Sequence, residues 1–274
     1  NPILMAARSK SIQTIIAKRL IDNNSLAKLT DYLVKLPQTK DIHSNGICYQ
    51  PSRIALHDSI IADYLSRARC IFREKPIAIM TGGLPGSGKS TFIKRYANWL
   101  TNKSIFAIDA DEIRAKLPEY QGWNAFVTHE ETSDIIKRLL TLIGRNECRY
   151  DILFDGTMVN SKKYNELMNK FLQLGYDVYL IYITIPLELS IERALSRYQR
   201  SGRFVPLEII YETASKGKSV FDELKKRATG WIEFDSVNQV IIGSGGYDLP
   251  ANRDYTKLTA LINGIKNRQK WLLK

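Results

Sequence analysis

The chain has 274 residues, enough for one large domain with a substantial core, and its 44% hydrophobic content is ordinary for a globular protein. Forty lysines and arginines against 28 acids leave a net charge of +12, which points to anionic partners: nucleotides, nucleotide sugars, nucleic acid or an acidic protein. No apolar run approaches the ~18 residues that would cross a bilayer, and Cys48, Cys70 and Cys148 lack the C-x-x-C spacing of a zinc site, so a soluble protein without structural zinc is expected.

Residues 1 to about 45 place Ile12, Ile15, Ile16 and Leu20, then Leu26, Leu29, Leu33 and Leu36, at helical spacing, which predicts two or three helices. Ser44-Asn45-Gly46 reads as a turn, so residues 1–46 form a helical N-terminal lead and residues 47–274 the main domain. No secretory leader is visible, and the chain begins at Asn1, which leaves its natural start open. Pro51 to Phe72 reads as a helix with Ile54, His57, Ile60, Ile61, Tyr64 and Leu65 on one face, packed against the sheet. Arg53 and His57 are neighbours on that helix.

Ile77 to Thr81 suits a buried strand and Thr91 onward a helix. Between them Gly83-Leu84-Pro85-Gly86-Ser87-Gly88-Lys89-Ser90 matches G-x-x-x-x-G-K-[ST] at every fixed position, with Thr91 next. Glycines let backbone N–H groups converge on a polyphosphate, and the helix N-terminus adds its dipole. Lys89 suits the β and γ phosphates of ATP, and the Ser90 hydroxyl suits Mg²⁺.

Ile105 to Ile108 predicts a second strand, ended by Asp109-Ala110-Asp111. Asp111 fits either a base that takes the proton of an attacking hydroxyl or the N-cap of the helix after it. Thr128-His129-Glu130-Glu131 has the form of a capping box opening a helix to Ile143. A third strand, Tyr150 to Asp155, ends in an acid suited to the metal, followed by Gly156-Thr157. Ser161 can cap a helix carrying Tyr164, Leu167, Met168, Phe171 and Leu172.

Val178 to Ile185 is a near-continuous apolar strand, ended by Pro186. A basic helix through Arg193, Arg197 and Arg200 follows, then Ser201-Gly202-Arg203 and a helix opened by Pro206. Val237 to Ile242 reads as a fifth strand, and Leu258, Leu261, Ile262 and Ile265 mark a closing basic helix. The alternation predicts an α/β fold, a mostly parallel five-stranded sheet with helices on both faces. Ligands of such sheets bind past the carboxyl ends of the strands, where the phosphate loop, Asp111, Asp155 and Thr157 fall.

The phosphate loop, Ile108-Asp109-Ala110-Asp111-Glu112-Ile113-Arg114, Asp155-Gly156-Thr157, and Arg197-Tyr198 followed by Arg203-Phe204-Val205-Pro206 together resemble the zeta-toxin kinases over roughly residues 47 to 243. The resemblance implies a P-loop kinase fold and ATP- and Mg²⁺-dependent phosphorylation of a hydroxyl of a nucleotide-linked small molecule, first of all the sugar of UDP-N-acetylglucosamine. It implies Asp111 as catalytic base, Lys89 and Ser90 at ATP and Mg²⁺, Asp155 at the metal and substrate, Arg114 and Thr157 at the substrate, and Arg197 and Arg203 on phosphate. Its substrate-holding acid falls among Glu130, Glu131 and Asp134, with Glu131 taken first. It further implies a toxin or effector, an antitoxin-like inhibitor, and a site of action in the cytoplasm of its own or a target cell. Two other readings accompany it. The charge and the segments around Arg193 to Arg203 and Lys266 to Lys274 would suit a polynucleotide 5′-hydroxyl kinase, and the N-terminal helices a nucleotide-gated interaction module.

Overall fold

The computed structural model describes residues 10–67, 76–96, 105–145 and 150–246. The closing helix expected around Leu258 to Ile265, the end of the helix expected to reach Phe72, and Cys70 and Cys148 lie outside the described residues.

In chain order the elements are α1 (Lys10–Lys18), α2 (Asn23–Leu33), α3 (Thr39–His43), α4 (Pro51–Arg67), β1 (Ile77–Gly83), α5 (Lys89–Tyr96), β2 (Ile105–Asp109) and α6 (Ala110–Arg114). A short 3-10 turn, Ala125–Thr128, leads into α7 (His129–Arg145), β3 (Asp151–Asp155), α8 (Ser161–Gln173) and β4 (Asp177–Thr184). Then come α9 (Leu187–Ser201), α10 (Leu207–Leu224), β5 (Gly230–Asp235) and β6 (Val240–Gly245). The chain forms two compact units. One gathers Asn1–Arg67, Asp109–Arg145 and Ile191–Ile209; the other gathers Ala68–Ile108, Asn146–Ser190 and Ile210–Lys274.

The second unit is built on the sheet, in the order β2-β3-β1-β4-β5-β6. β1 pairs in parallel with β3 and β4, with Met80 opposite both Phe154 and Leu180, and β4 pairs in parallel with β5. Strands β1 and β4 are buried along nearly their whole length, as apolar runs in a parallel sheet must be. Ile79, Leu153, Tyr179, Ile181, Ile183, Ile232 and Phe234 form the core with Phe92 and Ile93 of α5.

The sheet has six strands where the sequence predicts five. The unpredicted one is β5, whose Trp231, Glu233 and Asp235 alternate with buried Gly230, Ile232 and Phe234, a half-exposed pattern without an apolar run. The strand expected from Val237 begins later, as β6, and runs antiparallel at the edge. Asp235 Oδ1 accepts from the N–H groups of Val237 and Asn238 at 2.8 and 3.0 Å, so those residues form the hairpin turn.

The first unit is helical. Ile12, Ile15, Leu26, Leu29, Leu33 and Leu36 pack into one core with Trp123, Val127, Tyr198 and Phe204, so the N-terminal helices share their apolar face with segments from much later in the chain. Helix α4 belongs to this unit and packs on α7, where the sequence suggested packing on the sheet. Its buried side is shifted: Arg53 is inside beside the expected His57, whereas Ile54 is 38% exposed. The expected capping box does not form. Thr128 Oγ1 donates to the carbonyl of Ala125, and Glu131 turns inward. Helix α8 is capped by Asn160, whose Oδ1 accepts from Lys163 N at 2.9 Å, and not by Ser161; Leu172 lies on its exposed side.

Candidate active site

In the sheet unit, β1 delivers Gly83 and α5 begins at Lys89, so the phosphate loop joins a strand end to a helix N-terminus. Gly83 has φ +127°, and a Cβ there would lie 2.3 Å from the carbonyl oxygen of Ile183, so no other residue fits. A Cβ at Gly88, φ +91°, would meet no heavy atom within 4 Å; it would project into the open side of the loop. Lys89 Nζ donates to the carbonyls of Gly83 and Leu84 at 3.0 and 3.1 Å, folded back over the loop's mouth. Ser87 Oγ is buried with no hydrogen-bond partner, while Ser90 and Thr91 are exposed. An open glycine face, an orphaned buried hydroxyl and a cation at the rim fit a polyphosphate.

Three residues outside the sequence expectations hold this loop. Ser190 Oγ, fully buried, donates to the Pro85 carbonyl at 2.6 Å and ties the loop to α9. Thr81 Oγ1 donates to Asp155 Oδ1 at 2.5 Å and accepts from Gly156 N at 3.2 Å, which fixes the acid at the end of β3 beside β1. Met158 adopts φ +58° and is fully buried, with its sulfur 2.7 Å from where a Cβ on Gly82 would stand; the adjoining Thr157 carbonyl accepts from Gly83 N at 3.4 Å. None of the three carries a motif, since each acts through its fit to a distant segment. A left-handed methionine was the one departure from local preference available to find, and φ is not legible in sequence.

In the helical unit, Asp109 is the N-cap of α6, its Oδ1 accepting from Asp111 N at 2.8 Å. The Asp111 carboxylate is therefore not the cap of this helix. Arg114 Nη1 donates to Asp111 Oδ1 at 2.6 Å, and Arg203 Nη2 contacts Oδ2. Burial lowers the pKa of the Arg114 guanidinium against the pull of Asp111, and burial, then the nearby Arg203 charge, lowers that of Arg197. The Nε atoms of Arg114 and Arg197 are buried without a hydrogen-bond partner. Burial raises the pKa of the Tyr120 phenol, which the charge of Arg203 opposes. Arg200, between the two clustered arginines in sequence, is exposed.

Glu131 lies on α7, in the same unit. It is fully buried, and both oxygens are engaged: Oε1 by Arg53 Nε and His57 Nε2, each at 2.6 Å, and Oε2 by Arg53 Nη2 at 2.9 Å. The same Arg53 forks onto Glu119 at 2.7 and 3.1 Å, and His43 Nε2 meets Glu119 at 2.9 Å. Burial pushes the Glu131 carboxyl up, but the Arg53 and His57 hydrogen bonds outweigh it and hold the pKa down at about 2. Of the other two candidate acids, Asp134 pairs with Lys40 at 2.8 Å and accepts from the Tyr49 hydroxyl at 2.9 Å, and Glu130 is exposed. Among the described residues no helix is long and apolar enough to cross a membrane.

The Zeta toxin family profile matches residues 61–255, a span that holds the phosphate loop, Asp111, Asp155 and both clustered arginines. Among curated proteins, the chain is 28% identical over 135 residues to L-seryl-tRNA(Sec) kinase of Methanococcus maripaludis, covering 48% of this chain and 49% of that one. It is 32% identical over 137 residues to toxin PezT of Streptococcus pneumoniae, covering 46% and 51%. The chain thus spans about half the length of the curated relatives it matches. Among solved structures, that of the PezAT toxin-antitoxin system of Streptococcus pneumoniae aligns with a TM-score of 0.58 at 20% identity, over 83% of this chain and 98% of that one. The complex of AvrRxo1-ORF1 and ORF2 with ATP aligns with a TM-score of 0.63 at 14% identity, over 85% and 95%. These likenesses show the shared α/β P-loop fold, and the match of the family profile over most of the sequence shows that the chain belongs to the zeta toxin family.

Proposed function

We propose that this protein is an ATP- and Mg²⁺-dependent kinase that phosphorylates a hydroxyl of a nucleotide-linked small molecule, with the sugar of UDP-N-acetylglucosamine as the first candidate. The observation that carries the reading is the division of labour between two aspartates: Asp109 caps α6, which leaves Asp111 oriented by Arg114 and Arg203. Mg·ATP, when bound, supplies the transferable phosphoryl group. Gly83 to Thr91 would hold its phosphates, Lys89 leaving the loop carbonyls to neutralise the β and γ groups, and Ser90 and Asp155 would hold the metal. Asp111 takes the proton of the acceptor hydroxyl, and Arg197 and Arg203 compensate charge on the transferring phosphate. Arg114 and Thr157 serve the acceptor. Glu131 acts at a distance, through the fold around α7.

In this reading residues 1–46 are the lead and 47–274 the kinase domain. The chain acts as a toxin or effector in a cytoplasm, with a protein inhibitor as partner; a toxin-antitoxin system is named for the PezAT relative. One observation favours a second reading, a nucleic-acid-linked acceptor: the likeness to a kinase of L-seryl-tRNA(Sec), together with the charge of +12.

The test is transfer of labelled γ-phosphate from Mg·ATP to UDP-N-acetylglucosamine, NAD, a 5′-hydroxyl oligonucleotide and seryl-tRNA, beside an Asp111→Ala control. Label on the sugar nucleotide, lost in the control, supports the proposal. Label on the RNA or oligonucleotide selects the second reading. ATP binding with label on no acceptor counts for a nucleotide-gated interaction module.

A further inference from the structure

The helix α1 ends with Arg19 N–H on the Ile16 carbonyl at 3.3 Å and Leu20 N–H on the Ile15 carbonyl at 3.2 Å, the pairing of a Schellman motif. The residue in the left-handed seat of that motif is ordinarily glycine. Here it is Arg19, at φ +50°. A non-glycine residue there costs about 1 kcal/mol, so its side chain must return something the backbone alone would not require.

What it returns is contact with the arginine segment. Arg19 Nη1 donates to the carbonyls of Gln199 and Arg200, both at 2.7 Å, across 180 and 181 positions of sequence. These are orphan acceptors of the last turn of α9, and a guanidinium there also meets the negative end of the helix dipole. Gly202, φ +75°, continues the turn, with its N–H on the Tyr198 carbonyl at 2.8 Å. A Cβ on Gly202 would stand 3.5 Å from Arg19 Nε, and a Cβ on Gly122 would lie 3.3 Å from the Gly202 carbonyl oxygen. The aromatic residues that alternate with the two clustered arginines are anchored in the same place. Tyr198, 1% exposed, follows Arg197 and donates its hydroxyl to the Ile15 carbonyl at 3.3 Å; Phe204, 2% exposed, follows Arg203 and meets Tyr198 edge to face at 5.2 Å.

We infer that the N-terminal helices are the seat on which the Arg197–Arg203 segment is held, and that Arg19 is a positioning residue for phosphoryl transfer, acting through the end of α9. The inference rests on the proposed roles of Arg197 and Arg203 on phosphate. It makes the lead a working part of the kinase.

The test uses the full chain with Arg19→Gly, which suits the left-handed seat and removes the side chain with its guanidinium, and with Arg19→Lys, which restores the aliphatic stem and a cation. Two readouts are taken. Hydrogen exchange at residues 199–204 needs no acceptor; Arg19→Gly is expected to speed it about tenfold, and Arg19→Lys to recover part of the protection. On the acceptor that takes label, Arg19→Gly should lower kcat about tenfold with KM for Mg·ATP within about twofold. The double variant Arg19→Gly, Arg203→Ala should then be no slower than Arg203→Ala alone. Unchanged exchange overturns the inference. So do losses that multiply in the double variant, or global unfolding of Arg19→Gly, which would make Arg19 a residue of the fold at large. Normal transfer by Arg203→Ala would instead break the proposed role of Arg203 while leaving the exchange result to judge Arg19.

Discussion

The helical unit contains two arginine–carboxylate clusters that look alike on paper and differ in charge balance. Around Arg53, one guanidinium forks onto two carboxylates, Glu119 and Glu131, and the rings of His43 and His57 take further oxygen contacts; Arg53, Glu119, Glu131 and His57 are all buried. Around Asp111 the proportion is reversed. One partly exposed carboxylate faces Arg114 and Arg203, Arg197 is close enough to feel both Asp111 and Arg203, and two guanidinium Nε atoms have no partner. In the first cluster every Arg53 nitrogen and every Glu119 and Glu131 carboxylate oxygen is engaged and only His57 Nδ1 lacks a partner; in the second, positive charge is in surplus, which on the proposed reading serves an anionic ligand.

The contrast can be broken most severely at Asp111. Asp111→Asn should cut phosphoryl transfer by about 10³- to 10⁴-fold while thermal unfolding and ATP binding stay near wild type, because on the proposed reading it removes a base and not a joint. Loss of stability in place of activity would put this cluster in the same class as the first. Arg53→Ala should do the converse. It leaves two buried carboxylates uncompensated, at a cost of about 3–5 kcal/mol, read as a fall in the denaturant midpoint.

A third measurement uses pH. Glu131 has its pKa depressed from 4.5 to about 2, so its contribution is complete above the unfolded value and is lost as pH falls from about 4.5 towards 2. The amount is on the order of 3 kcal/mol. Urea unfolding at pH 5 and pH 2.5 should show that loss in the wild type and much less of it in Glu131→Gln. The smallest effect is reserved for Asp109→Ala, which removes the cap of α6 and should cost about 1 kcal/mol. Its activity should fall far less than that of Asp111→Asn; equal losses would mean that the two aspartates had been assigned the wrong way round.

These two clusters also mark where the sequence was legible. Asp111, Arg114, Arg197 and Arg203 stand out in the string because they lie in short motifs next to strand and helix ends. Arg53 and His57 were visible as neighbours on one helix, but nothing local named Glu119 as their partner, and Glu131 sat in what reads as a capping box. Choosing its inward rotamer required Arg53, 78 residues away. β5 was missed for a related reason: a strand with one half-exposed face carries little signal until β4 is beside it.

By itself, then, the sequence determined what depends on local geometry. Glycines at 83 and 88 allow the phosphate loop, unbroken apolar runs demand buried strands β1 and β4, and helical spacing orders the N-terminal lead. Only the tertiary structure decided which aspartate caps α6, which acid of α7 is sealed inside, and that Arg19 closes the end of α9. Those choices are made by hydrogen bonds and ion pairs between segments far apart in the chain, whose energies depend on burial and approach distance that no local pattern encodes.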